Sequence, residues 1–404
     1  MHMTTPNRLS PLRFVVAFGV VSMLADFVYE GARAIIGPYL ATLGASAGLI
    51  GLITGFGEAV AYIARLASGP VSDRTGKHWT LSIAGYAITI ISVPLLAVTH
   101  TLWPTALLIV SERFGKAVRT PARDTMLAQA SSQSGRGMAF ALHEALDQFG
   151  ALFGPLLVAL VVATSGFHLA FAVLAIPGIL ALAVITWLRL SVPRPADYEK
   201  RSEQQRRPTQ VATMHGFSPT FWRYGAFTAM SMSGFATFAV LAYHLQAHRI
   251  IATPLIPVVY ATAMGAAGLS ALGSGALYDR IGLRGLVIAP IMAAIVPVLA
   301  FSNSPGVAWA GSIAWGIATG IHESTMRAAV ADLVPVERRG EGYGTFATLY
   351  GLAWLIGSVA LGTLYDVAPR MAIVYAIGTQ IVALIIFIPL LRTRKRDARK
   401  VTTP

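Results

Sequence analysis

Apolar residues in this chain come in long unbroken runs, each about the 20 residues that carry a helix across a bilayer core. The runs lie at 13–41, 47–70, 80–98, 103–125, 138–164, 167–189, 219–247, 254–279, 285–302, 306–330, 341–365 and 370–391, and they predict twelve transmembrane helices. They are continuous and rich in Leu, Ala and Gly, not alternating, which argues against the strands of an outer-membrane barrel. One polar stretch, 190–218, holds Pro193, Pro195, Pro208 and two basic pairs and reads as a linker. It divides the chain into a six-helix bundle (1–189), the linker (190–218), a second six-helix bundle (219–391) and a basic tail (392–404). The fold class predicted is thus an all-α integral membrane protein, with twelve transmembrane helices in two pseudo-symmetric six-helix bundles. The first run is too long, and with Asp26 and Glu30 too charged, for a cleavable signal peptide.

Composition agrees with lipid as the solvent. Of 404 residues, 55% are hydrophobic and 12% charged, about half the charge of an ordinary soluble domain. The net charge of +13 would suit nucleic acid were it not distributed by loop. Arg74 and Lys77, Arg136, Arg194 to Arg207, Arg280 and Arg284, Arg338 and Arg339, and the tail from Arg392 all fall in alternate connections. The intervening loops carry only Arg249 and Arg370. This positive-inside pattern puts both termini in the cytoplasm, at the inner (plasma) membrane. The charge is read as topology and attraction to anionic lipid heads, not as nucleic-acid binding. With zero cysteines, disulfides and thiolate metal sites are ruled out.

The two halves repeat one another. GPVSDRTGKH (69–78) returns as GALYDRIGLR (275–284), and GRGMAFALHEALDQFGALFGP (135–155) lines up with RRGEGYGTFATLYGLAWLIGS (338–358). Both repeats are separated by about two hundred residues, which argues for duplication. A further copy-like fragment, GTLYD (362–366), sits at the opposite end of its span and is read as small-residue helix packing. In the loop repeat, glycine allows close helix approach and a tight turn. Asp73 is expected to meet a helix N-terminus or an arginine such as Arg123 or Arg136, as a cytoplasmic latch.

These residues resemble those of the major facilitator superfamily over essentially the whole chain. Its loop motif G-x-x-x-D-R-x-G-R-K is matched by Gly69, Asp73, Arg74, Gly76 and Lys77, with His78 departing; Gly275, Asp279 and Arg280 form the second copy. Its span-4 arginine is matched by Arg113. Its antiporter-associated G-x-x-x-G-P is matched by Gly150, Gly154 and Pro155, although Val158 and Ala159 stand where a trailing glycine pair belongs. The resemblance implies two bundles rocking about a central cavity, and a proton gradient, not a cofactor, as energy source.

Charges inside the spans mark the candidate site, because an ionisable residue there costs about 2.5–3.5 kcal/mol on insertion scales. Asp26 and Glu30 share a face of span 1. Span 4 carries Arg113, Lys116, Arg119 and Arg123; span 5 carries His143 and Asp147; span 10 carries His322, Glu323 and Arg327. The structural reading makes them buried pairs such as Glu30 with Arg113 or Glu323 with Arg327. The functional reading makes one carboxylate a proton carrier, with Glu30 first, then Asp26, Asp147 and Glu323, and with His143 and His322 as relays. Arg113, Lys116, Arg327, Phe27, Tyr350 and Trp354 are the expected substrate-cavity residues. No Walker, HExxH or nucleophile-elbow sequence points to an enzyme. The first functional reading is proton-driven efflux of a small organic compound by a monomer. The alternative is proton-coupled uptake of an organic anion or metabolite; divalent-metal export or a membrane sensor are the minor ones.

Overall fold

The computed structural model describes residues 9–131, 136–198, 217–335 and 338–401, and within these it leaves the side chains of 136–141, 327–328, 331, 340 and 392–401 undescribed. Among the described residues the chain is helical, with no strand. The helices are α1 (Pro11–Thr42), α2 (Ala47–Ile63), α3 (Arg65–Thr75), α4 (His78–Leu95), α5 (Leu102–Ala130), α6 (Arg136–Val173), α7 (Ala175–Ser191), α8 (Pro219–Ser233), α9 (Phe238–Ala247), α10 (Ile256–Ile281), α11 (Ile288–Ala300), α12 (Pro305–Gly320), α13 (Met326–Leu333), α14 (Arg339–Val367) and α15 (Pro369–Val401).

Eight helical stretches among the described residues are long and apolar enough to cross a membrane. Two of them, Leu142–Ser191 and Thr253–Ala300, are 50 and 48 residues long, enough for two crossings each. Each turns back at a glycine in the left-handed region, Gly166 (φ 77°) and Gly282 (φ 63°). Two further helical passes, α5 and α12–α13, carry the charges noted above. Twelve crossings result among the described residues.

Several predicted spans are not single helices. Span 7 breaks between α8 and α9, where the freed carbonyl of Ala236 accepts the indole N–H of buried Trp315 at 3.0 Å. Trp315 also stacks on Phe235, with centroids 6.0 Å apart. The break is therefore paired internally, as hydrocarbon demands. Span 10 passes through one wide π turn, Ile321–Thr325, between α12 and α13. Span 12 ends at Leu391 as expected, but its helix does not, since α15 runs on to Val401.

The chain divides into two compact units: residues 1–35 with 60–209, and 36–59 with 210–404. In the first unit Phe14, Phe18, Trp79, Tyr86, Ile185 and Tyr198 belong to one buried cluster, and α4 and α5 cross so closely that a Cβ on Gly85 would lie 2.6 Å from the Gly115 carbonyl oxygen. The second unit includes α2 up to Ala59. There a Cβ on Gly51 would lie 2.1 Å from the Ser358 carbonyl oxygen, and one on Gly362 would lie 2.3 Å from that of Ala47. Stripes of small residues thus add close backbone approach to the packing of these apolar clusters, as expected in lipid. Large side chains such as Leu160, Ile176, Leu272 and Val374 are left exposed.

Candidate functional site

The strongest concentration of chemistry lies in the first unit, where α1 faces α5 and α6. The close α4–α5 crossing at Gly85 and Gly115 brings Arg119 against α4; its guanidinium lies 4.6 Å over the Tyr86 ring and donates to Thr89 Oγ1 at 3.1 Å. On the α1 side, Tyr29 is the hub. Lys116 Nζ donates to its hydroxyl at 3.0 Å and lies 4.3 Å from the ring centroid, with Arg119 at 5.3 Å and Arg113 at 5.8 Å. Three cations around one buried ring are held partly by the ring quadrupole and partly by nearby carboxylates.

Those carboxylates are placed by helical spacing. Asp26 and Glu30 flank Tyr29 on α1 and are both buried. Asp26 lies in the electrostatic field of Lys116, Arg119 and Glu30. Glu30 meets Arg33 one turn on, at 3.4 Å, and Arg113 meets Glu112 at 3.2 Å. Farther along, Asp147 on α6 lies 3.8 Å from Arg123 and 3.5 Å from His143, while Arg123 binds Asp124 at 2.9 Å. Ser22 joins the group: its hydroxyl is 2.8 Å from the Tyr86 hydroxyl and 3.4 Å from His143 Nε2. Asp26, Glu30, Glu112, Asp124 and Asp147 thus stand opposite Arg33, Arg113, Lys116, Arg119 and Arg123. Charges of one sign stand among charges of the other, which is how ionised groups are tolerated inside a membrane protein.

The span-5 motif has a structural explanation here. Cβ atoms on Gly150 and Gly154 would lie 2.2 Å from the Met23 carbonyl oxygen and 2.3 Å from that of Phe27. Glycine spacing therefore presses α6 backbone-to-backbone on the turn of α1 that carries Asp26, and Gly31 returns the contact on Gly154 at 3.2 Å. Pro155 follows inside α6.

Other expected residues are placed elsewhere. His322 is fully buried in the second unit: Nδ1 donates to the Ala318 carbonyl at 2.7 Å and Nε2 lies 3.0 Å from the Ser231 hydroxyl. Glu323 is half-buried on the π turn; the Arg327 side chain, and with it the expected Glu323–Arg327 pair, lies outside the described residues. Tyr350 and Trp354 are 3% and 0% exposed and form an edge-to-face pair at 5.8 Å, inside a packed aromatic ladder. Phe27 is half-buried. Among the described residues there is no cluster of three or more metal-ligating side chains.

The loop motif is half explained. Gly76 adopts φ 62° and caps α3, and its repeat partner Gly282 adopts φ 63° after α10, so the duplicated glycine serves the turn. Close approach is not what Gly69 and Gly275 supply: a Cβ on Gly69 meets only Pro121 at 3.9 Å, and one on Gly275 meets nothing within 4 Å. Asp73, Arg74, Lys77, Asp279 and Arg280 are exposed, and Arg123, one expected partner of Asp73, instead faces Asp124 and Asp147. The Arg136 side chain lies outside the described residues.

Sequence reasoning passed over Ser22, Tyr86 and Thr89, ordinary polar residues in apolar runs, and assigned Tyr29 no role as a hub for cations. It also passed over Asp366, whose carboxylate accepts the N–H groups of Ala47 and Gly48 at 2.9 and 2.8 Å. The only available signal was the copied GTLYD ending in that acid.

Helices of this length, charge burial and connectivity define a multi-pass membrane transporter. The Major Facilitator Superfamily profile matches residues 18–358 and 251–404, and the chain belongs to that family. An uncharacterised protein of Mycobacterium tuberculosis is 46% identical over 383 residues, 94% of this chain and 93% of the relative. The class H tetracycline resistance protein of Pasteurella multocida is 28% identical over 127 residues, 31% of this chain and 32% of the relative. Among solved structures, the nucleoside transporter NupG superposes with a TM-score of 0.72 at 15% identity, covering 93% of this chain and 98% of the other, a likeness of fold alone.

Proposed function

We propose that the protein is a proton-driven exporter of a small organic compound, residing in the plasma membrane with both termini cytoplasmic. The observation that carries this reading is the contact of the Gly150–Gly154 face of α6 with the turn of α1 bearing Asp26. The helix carrying an antiporter-like motif is thereby coupled to a buried carboxylate held against Lys116 and Arg119. The partial likeness to a tetracycline resistance protein supports the same direction. Lys116 of α5 acts on both Glu30 and Asp26, but Glu30 also meets Arg33 on its own helix at 3.4 Å, whereas the further cation acting on Asp26, Arg119, again comes from α5. This arrangement favours Asp26 as proton carrier, with Glu30 and Asp147 supporting the charge balance.

Competition at Asp26 supplies the exchange. With Asp26 ionised, a substrate bearing a cationic or hydrogen-bond-donating group binds it and loosens Lys116. A proton arriving from the other face removes the charge and releases the substrate. An anionic substrate would behave oppositely: protonated Asp26 would free Lys116 and Arg119 to bind it, and the two would travel together.

Flux in proteoliposomes under an imposed pH gradient tests the reading, with a panel of cationic, zwitterionic, anionic and neutral solutes. Antiport requires an acidic trans side to drive accumulation. Asp26→Asn, fixed in the uncharged state that releases such a substrate, should abolish gradient-driven accumulation and sharply reduce exchange of a cationic substrate. Accumulation driven by an acidic cis side would replace efflux by symport, and unchanged coupling in Asp26→Asn would remove the carrier assignment.

A further inference from the structure

At the end of the first unit marked by the basic loops, three elements enclose a cavity of about 740 Å3 that the transport cycle above does not use. One wall is the α3–α4 turn with Lys77 and Trp79. A second is the end of α5, with Met126 and Gln129. The third is the end of α7 and the start of the linker, with Arg189, Leu190 and Arg194. Lys77, Arg189 and Arg194 stand against Asp197 alone among the charged lining residues, so the cavity is net cationic.

The cavity is built and not incidental to a loose loop. The linker turns at Pro195–Tyr198, and Tyr198 is inserted into the hydrophobic cluster with its hydroxyl donating to the Leu9 carbonyl at 2.6 Å. Burial pushes the Tyr198 phenol up to about 12, so that donor persists across all physiological pH. Trp79 closes the same corner by donating its indole N–H to the Val192 carbonyl at 3.1 Å. The backbone carrying Arg194 is thereby fixed beside Lys77.

The chemistry of the rim selects the ligand class. Cations at the polar end suit phosphate oxygens. Immediately beside them α7 presents Leu190 and Trp187, 72% and 49% exposed, on a helix that crosses the bilayer. A soluble anion has no use for that apolar wall, whereas acyl chains do. We infer that this cavity is a binding site for the headgroup of an anionic phospholipid, with the phosphate on Lys77, Arg189 and Arg194 and the chains along Leu190 and Trp187. The site depends on membership of the membrane and not on the direction of transport or on Asp26.

The test is native mass spectrometry of the full-length protein after exchange into nanodiscs of phosphatidylglycerol or of phosphatidylcholine with the same chains. Wild type should retain phosphatidylglycerol preferentially. Each of Lys77→Gln and Arg189→Gln should weaken retention by about 5-fold, the effect of one basic side chain at an anionic surface. Arg370→Gln, an exposed arginine on a connection outside the basic set, should retain the lipid as wild type does. Equal retention of the two lipids by wild type would overturn the site. So would displacement of phosphatidylglycerol by millimolar inorganic phosphate, which would mark a soluble-anion pocket. These two arms need only wild-type protein and stand even where a variant fails to fold.

Discussion

Lys116 Nζ lies 3.0 Å from the Tyr29 hydroxyl and 4.3 Å from the centroid of the same ring, so one aromatic side chain serves a half-buried ammonium as both hydrogen-bond acceptor and π face. The two contributions separate by substitution. Tyr29→Phe keeps the ring and strands one donor of a half-buried cation, which should cost about 1–3 kcal/mol. Tyr29→Leu loses the ring interaction as well and should cost more, because Arg113 and Arg119 share it. Thermal unfolding of the purified variants in detergent reads both. A Phe variant as stable as wild type would show that Lys116 takes its support from the carboxylates alone.

Close helix crossing makes a second prediction, with its own internal control. A Cβ at Gly154 would sit 2.3 Å from the Phe27 carbonyl oxygen, a backbone atom that cannot yield without α1 moving. Gly154→Ala should therefore cost about 1–3 kcal/mol, as overpacking does, and lower transport with it. At Gly265 an added Cβ meets nothing within 4 Å. Gly265→Ala should be neutral or stabilising by up to about 1 kcal/mol through helix propensity. Equal effects at the two positions would mean that the α1–α6 contact is not rigid.

How much of this could be read in advance follows the range of the interactions involved. The apolar runs and the turn glycines Gly76 and Gly282 are local or repeated signals, and the structure contains each, whereas the compact units do not follow the expected halves, since residues 36–59 group with the second. The shared face of Asp26 and Glu30 is also local, and the structure buries both. What escaped detection is long-range. Nothing near Tyr29 announces cations 84 to 90 positions away, and the break at 234–237 depends on Trp315 reaching Ala236. A mean apolar run cannot register such a break, because Phe235 and Ala236 are themselves apolar. Asp73 shows the converse: a motif legible in sequence says where a charge lies, while its partner depends on the fold.

Asp366 illustrates the same point and makes a third prediction. It accepts two N–H groups at the start of α2, more than three hundred residues away in sequence. A carboxylate there satisfies orphan donors and meets the positive end of the helix. Asp366→Ala should destabilise by about 0.5–2 kcal/mol, with Asp366→Asn intermediate because it keeps an acceptor without the charge. Amide hydrogen exchange localises the effect: Ala47 and Gly48 should exchange faster in both variants. Unchanged protection at those two amides would show that the cap is not maintained in solution.

The hydrogen-bond count around His322 leads to the last prediction. Its Nδ1 faces the Ala318 carbonyl at 2.7 Å, an arrangement that requires the proton on Nδ1 and leaves Nε2 of a neutral ring as an acceptor. Ser231 is 3.0 Å from that nitrogen and 2.9 Å from Gln380 Oε1, while Gln380 Nε2 donates to the Ser231 carbonyl at 2.8 Å. Flipping the Gln380 amide does not help, because its oxygen would then face that carbonyl. One hydroxyl proton therefore serves two acceptors, and the three side chains must act as a unit. Ser231→Ala and Gln380→Met should each destabilise, with a coupling of at least about 0.5 kcal/mol in a double-mutant cycle. Nitrogen chemical shifts should report the Nδ1–H tautomer in wild type. Additive losses, or an Nε2–H tautomer, would refute the shared-proton arrangement.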